Sequence, residues 1–269
     1  MTTRPMDTPA CETLTDAGPG APWLTLVHGA SQDRRVFSAQ REAFAARFRL
    51  LLVDLPGHGG SAAMAGPFDP QAHARAVLAA LDGNGVASTH YWGTHTGAAV
   101  GLLLAVRHPE RIASLVLEGA VIPGVAMPSV SHWFARACTI AREHGVEAAR
   151  REWFEHAEWF RVIREHPDTC RAAAHRAMID EFGARPWLDD RPPRPVADVA
   201  AALGAVAAPV LLVNGEHDVA DFLDTARRLA RELPRAERAV IAGAGGFPLW
   251  EFPAEVNARV HAFLAARRP

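Results

Sequence analysis

Strand-like and helix-like patterns alternate along most of this chain, and that alternation limits the folds open to it. Short apolar runs occur at WLTLV (Trp23–Val27), RLLLV (Arg49–Val53), HYW (His90–Trp92), SLVLE (Ser114–Glu118), VLLVN (Val210–Asn214) and RAVIA (Arg238–Ala242). Between them lie helical repeats such as FSAQREAFAARF, PQAHARAVLAALDGNG, TGAAVGLLLAVRHP and DTARRLARELP, several closed by Gly or Pro. Strand and helix in turn imply βαβ units, hence an α/β fold with a mainly parallel sheet flanked by helices. In such sheets ligands bind beyond the carboxyl ends of the strands, so the loops after the strands are where function is expected.

The alternation stops between Ile122 and Ala208, where SHWFARACTIAREHG, EAARREWFEHAEWFRVIREHP and DTCRAAAHRAMIDEFG read as helix after helix, followed by the proline-rich RPWLDDRPPRPV. This predicts a helical cap over 122–208, inserted into a core formed by 1–121 and 209–269. The cap carries Trp133, Phe134, Trp153, Phe154, Trp159 and Phe160. Such residues are expected to pack the cap on the core, some of them also touching a ligand. A length of 269 residues suits one large domain with an insertion, and a hydrophobic share of 49% supports a substantial core.

Composition removes several function classes. The formal net charge is −2 with both signs interspersed, which argues against nucleic acid and anionic membrane surfaces as partners. Cys11, Cys138 and Cys170 are too few and too scattered for a disulfide framework or zinc site. No apolar run resembles a signal peptide or a membrane span, so a cytoplasmic location is expected. Every basic residue is arginine, which excludes a Schiff-base or general-base lysine. The 13 histidines form no H-x-x-x-H with a carboxylate nearby, and no G-x-G-x-x-G follows the first strand. Neither a metal nor another cofactor is therefore expected, and the oligomeric state is left open.

Five short stretches fall in a fixed order against the strands. LVHGA, DLPGHGGS and GTHTGA follow the first three, NGEHD follows the late strand, and IAGAGGFPLWEFP precedes the final helix. In this order and spacing they resemble the α/β-hydrolase fold family, over nearly the whole chain from about Trp23 onward. The resemblance implies backbone oxyanion donors at Ala30 and Thr96, the second at a helix N-terminus. It implies that Gly93 and Gly97 permit a sharp strand-to-helix turn, and that Asp218 stands where the family's acid orients a catalytic histidine. His28 falls in the slot that supports the oxyanion loop, with direct chemistry as its alternative, and His58 in PGHG is structural.

Two departures carry the functional question. The elbow pattern G-x-S-x-G has His95 in place of serine, and Gly246 stands where relatives carry the catalytic histidine. A serine triad needs a hydroxyl, a base and an orienting carboxylate, so this sequence does not read as an ordinary serine esterase. If Gly246 leaves a gap, the imidazole of His95 reaches toward Asp218 and forms a dyad. Glu118 is a second candidate carboxylate, with an outward-facing structural role as the alternative. The expected function is acid–base catalysis of lyase, decarboxylase, isomerase or cyclase type on a small apolar carbonyl compound. Alternatives are hydrolysis with His95 as nucleophile and His217 or His132 activating water, and a non-catalytic small-molecule receptor. A purely structural partner protein, with a filled pocket and a packed His95, is a further one. The substrate pocket is expected to include His28, Ser31, Trp92, His132 and Trp133.

Overall fold

The computed structural model describes residues 8–194, 196 and 199–266; Pro195 of the proline-rich stretch and the outermost residues of the expected core lie outside them. Seven strands form one sheet: β1 (Cys11–Leu14), β2 (Trp23–Val27), β3 (Arg49–Val53), β4 (Thr89–Thr94), β5 (Ile112–Glu118), β6 (Val210–Gly215) and β7 (Ala236–Ile241). Their spatial order is β1-β3-β2-β4-β5-β6-β7, all parallel except β1, which runs antiparallel to β3 in the register Cys11↔Val53. β1 was not anticipated, because CETL is too short and polar to signal a strand.

Both faces of the sheet are covered, so the parallel strands read as unbroken apolar runs. Leu24, Leu26, Leu50, Leu52, Trp92 and Val116 point to one face, against helices α1 (Ser38–Phe44) and, at the carboxyl end of the chain, Pro253–Ala265. Val27, Leu51, Val53, Tyr91, Leu115 and Leu117 point to the other, against α2 (Pro70–Gly83) and α3 (Thr96–Arg107). This period of two fixes the register, since a slip of one residue would exchange the faces.

Between β5 and β6 the chain forms α4 (Pro128–Glu143), α5 (Val146–His156), α6 (Arg161–Glu165), α7 (Ala172–Glu181) and α8 (Arg185–Leu188). The pattern over 147–167 reads as one helix, yet the structure breaks it at Ala157, which is extended at ψ 134°. The break takes the Phe154 carbonyl out of the helical ladder, and Arg164 donates to it at 2.7 Å; Arg164 also donates at 2.9 Å to the Ala157 carbonyl, which accepts from the Phe160 amide at 3.2 Å as well. Beyond β6 follow α9 (Ala220–Glu232), α10 (Pro248–Glu251) and the final helix α11 (Pro253–Ala265). No helix among the described residues is long and apolar enough to cross a membrane.

Candidate active site

β4 ends at Thr94 and α3 begins at Thr96, leaving His95 alone between them at φ 48°, ψ −105°. A side chain held at positive φ costs on the order of 1–3 kcal/mol and persists only where its surroundings enforce it. Here the His95 amide donates to the Glu118 carbonyl at 2.8 Å, and its own carbonyl accepts from Ala99 at 3.0 Å. The flanking glycines are required by contact. A Cβ on Gly97 would lie 2.0 Å from the Val27 carbonyl oxygen, and one on Gly93 would lie 2.3 Å from the backbone of Gly97.

The imidazole is buried between Phe222 and Phe247, each with its ring centre 4.7 Å away. Nδ1 lies 2.9 Å from the Thr94 hydroxyl oxygen, and Nε2 has no hydrogen-bond partner. An unpaired lone pair is better tolerated in apolar surroundings than an unpaired N–H, which favours the tautomer with Nδ1–H donating to Thr94 and a bare lone pair on Nε2. Burial alone sets its titration, pushing the pKa down from 6.5 to about 3, so the ring is neutral at physiological pH.

The expected dyad does not form. Asp218 accepts from the Asn214 amide at 2.9 Å and from the Val219 backbone at 2.8 Å, which ties it to its own loop. Glu118 is neither outward-facing nor a partner of His95: it is fully buried, accepts from the Leu249 amide at 3.1 Å, and leaves Oε1 unpaired. Burial raises the Asp218 carboxyl to about 7 and lifts Glu118 well above the usual carboxylate range. The physical reason lies in the space beside Gly246, which is not a gap. A Cβ there would sit 2.5 Å from the Cβ of Trp159 and 2.8 Å from its carbonyl oxygen. After the break at Ala157 the chain thus lies where the imidazole was expected to extend, and two phenyl rings flank His95 instead. Glu251 holds this loop from below, accepting from the Gly245 and Phe247 amides at 2.5 and 3.3 Å.

The side toward Ala30 and Thr96 is open. Ala30 and Thr96 line a cavity of about 170 Å³ together with His95, and among the described residues neither amide donates to a protein acceptor. Its walls are aromatic, from Phe134, Trp153 and Trp159 of the segment between β5 and β6 and from Phe222 and Phe247 beyond β6. An open cavity is what the purely structural alternative does not predict.

The pocket residues named from sequence fall elsewhere. His28 is fully buried beneath the loop, where Nδ1 donates to the Gly29 carbonyl at 2.7 Å and Nε2 accepts from the Leu55 amide at 3.0 Å. Ser31, at φ 60°, accepts from the Trp153 indole at 2.8 Å and stands behind the wall. Trp92 is on a strand residue that faces the sheet core, edge-on to Phe37 and Phe44. His132 is exposed, and Trp133 packs 6.5 Å from Trp159 outside the cavity lining. His217 is exposed beside Glu216 and is not among the residues that line the cavity with His95. His58 stacks on Phe182 with its ring centre 4.7 Å away, and Nδ1 donates to the Pro56 carbonyl at 3.0 Å.

Sequence reasoning missed Phe222 and Phe247, which surround the imidazole, and a buried pair between Gln32 of the oxyanion loop and His175 of α7, 3.0 Å apart. Nothing in AAAHRAM distinguishes His175 from any other helical residue. Among the described residues no group of three or more His, Cys, Asp or Glu is placed to hold a metal ion.

Comparison with known proteins agrees with this architecture. A profile of the family described as alpha/beta hydrolase fold matches residues 22–253. A pimeloyl-[acyl-carrier protein] methyl ester esterase of Aromatoleum aromaticum is 31% identical over 254 residues, covering 86% of this chain and 94% of the relative. A 2-hydroxy-6-oxononadienedioate/2-hydroxy-6-oxononatrienedioate hydrolase of Burkholderia vietnamiensis is 26% identical, covering 93% and 89%. Among solved structures, an enol-lactonase from Burkholderia xenovorans superposes with a TM-score of 0.83 at 23% identity, over 95% of this chain and 96% of that one.

Proposed function

This chain belongs to the alpha/beta hydrolase fold family, and on that premise we propose that it hydrolyses a small carbonyl compound with the imidazole of His95 as the reacting group. The observation that carries the proposal is a neutral ring on the elbow, with a bare Nε2, beside Ala30 and Thr96, two residues of the cavity lining whose amides have no protein acceptor among the described residues. The esterase and hydrolase names of the relatives support hydrolysis over lyase, decarboxylase, isomerase or cyclase chemistry. Their dioate substrates are not carried over, because among the described residues no arginine lines the cavity.

In the proposed reaction the Nε2 lone pair attacks the carbonyl carbon, and the oxygen takes negative charge facing the Ala30 and Thr96 amides. The bond to the leaving group breaks, and the departing alkoxide receives the proton shed from Nδ1. Water then cleaves the acyl-imidazole, releasing the acid and returning a proton to His95. Nε2 faces Gly119 and is closed to solvent, so the ring turns within its slot to meet the substrate. This is not a serine esterase mechanism, since the elbow carries no hydroxyl and Gly246 supplies no base. We take 122–208 as the cap over this site, and 1–121 with 209–269 as the core.

The test is a panel of small esters and thioesters, with an acid quench and mass analysis of the peptide containing His95. The proposal expects product from the native protein, an acyl mass on His95, and turnover lost in His95→Ala. Product without the adduct would make His95 a base rather than a nucleophile. Retained turnover in His95→Ala would sink the proposal, and binding without product would favour a receptor.

A further inference from the structure

The cavity also states which ligands it tolerates. Apart from His95 and Thr96 it is lined by apolar groups, among them Phe134, Trp153 and Trp159. The indole N–H of Trp153 is already engaged by Ser31, so that residue shows the cavity only carbon. No acidic or basic side chain other than the neutral imidazole reaches the lining among the described residues. A volume of about 170 Å³ is close to that of an apolar cavity which stays dry and takes up one benzene.

We infer that this site binds a compact, uncharged apolar group of about one aromatic ring in size and turns away the same group carrying a carboxylate. A carboxylate beneath the cap would surrender its hydration with no cation to receive it, and an isolated buried charge is strongly disfavoured. The Ala30 and Thr96 amides can compensate one oxygen of the ligand, not a separate anion set against the aromatic walls. That the bound group is the acyl part of a substrate rests on the hydrolase reading; that it is neutral and compact does not.

The experiment is a binding titration followed by the fluorescence of Trp153 and Trp159, which form the wall. Acetophenone and 4-acetylbenzoate serve as the pair, sharing the ketone that the Ala30 and Thr96 amides receive and differing by a charge at the far end of the ring, with octanophenone as the long-chain member. The inference expects saturable quenching by acetophenone, and binding of 4-acetylbenzoate and of octanophenone each at least about a hundredfold weaker. Filling the cavity with Ala99→Leu should abolish acetophenone binding while the protein remains folded by circular dichroism. Phe134→Arg, whose side chain is only partly buried, should bring 4-acetylbenzoate to parity with acetophenone, which separates charge from size. Equal binding of acetophenone and 4-acetylbenzoate by the native protein, or no binding of acetophenone, overturns the inference. Binding as expected with no ester turned over leaves it standing and removes the hydrolase reading instead.

Discussion

The two sides of His95 have been treated differently. Toward Ala30 and Thr96 the elbow is open, with glycines where a Cβ would strike neighbouring backbone and two cavity-lining residues whose amides have no protein acceptor among the described residues. Toward Gly246 the space is closed: Trp159 covers the glycine, Phe222 and Phe247 flank the ring, and Asp218 is tied to its own loop. One side is open with amides that have no protein acceptor among the described residues, while the other is filled by aromatic packing. The lesson is that an imidazole can occupy an elbow without inheriting a carboxylate partner, and burial then makes it neutral rather than cationic.

The sharpest way to break the open side is Gly97→Ala. Its Cβ meets backbone at 2.0 Å, which no side-chain rotation relieves, so we expect a loss of about 4 kcal/mol or more and a protein that no longer unfolds cooperatively. Gly246→His attacks the closed side. It forces the Cα and carbonyl of Trp159 to move and should cost about 2–3 kcal/mol in chemical denaturation. Combining it with His95→Ser should not create a serine esterase, and robust triad-type turnover in that double variant would show the closed side to be more yielding than described.

Trp153→Phe removes the indole donor to Ser31 and keeps most of the ring packing. It should cost about 1 kcal/mol and weaken ligand binding in the cavity, as denaturation and fluorescence quenching would show.

The smallest effect is on pH dependence, where two buried sets oppose each other. His28, His58, His73, His95 and His175 are all held below 6.5 in the folded state, chiefly by burial. Their contribution is present above the unfolded pKa of 6.5 and is lost as pH falls. Asp218 and Glu251 are raised to about 7, with Glu118 raised further in the same direction. Their contribution is present at low pH and is lost as pH rises through 7. The imidazoles prevail by number below 6.5 and the acids above it, so Tm should peak near about pH 6.5. A Tm that climbs steadily from pH 5 to 8 in calorimetry would contradict the balance.

Much of this was legible from residues alone. Strands of β-branched and leucine residues mark themselves, and β2 and β3 run over the stretches read from sequence. The elbow was legible too, because the glycines at 93 and 97 encode a steric requirement. The closed side was not. Whether Gly246 leaves a gap depends on where Trp159 lands, which depends on a helix break at Ala157 that helical periodicity does not reveal. Likewise Trp92 alternates to the core face through strand register, and Ser31 turns behind the wall to receive an indole proton. Each needed a tertiary contact to settle it.

The most direct test of the central claim is the nitrogen-15 NMR titration of the His95 ring, assigned by difference from His95→Ala. The account predicts a neutral imidazole with Nδ1 protonated and Nε2 bare, and no titration between pH 5 and 8. A ring that titrates near 6.5 would be solvated rather than buried, and one that titrates well above it would have a carboxylate against it; either result would end the separation between the two sides of the site.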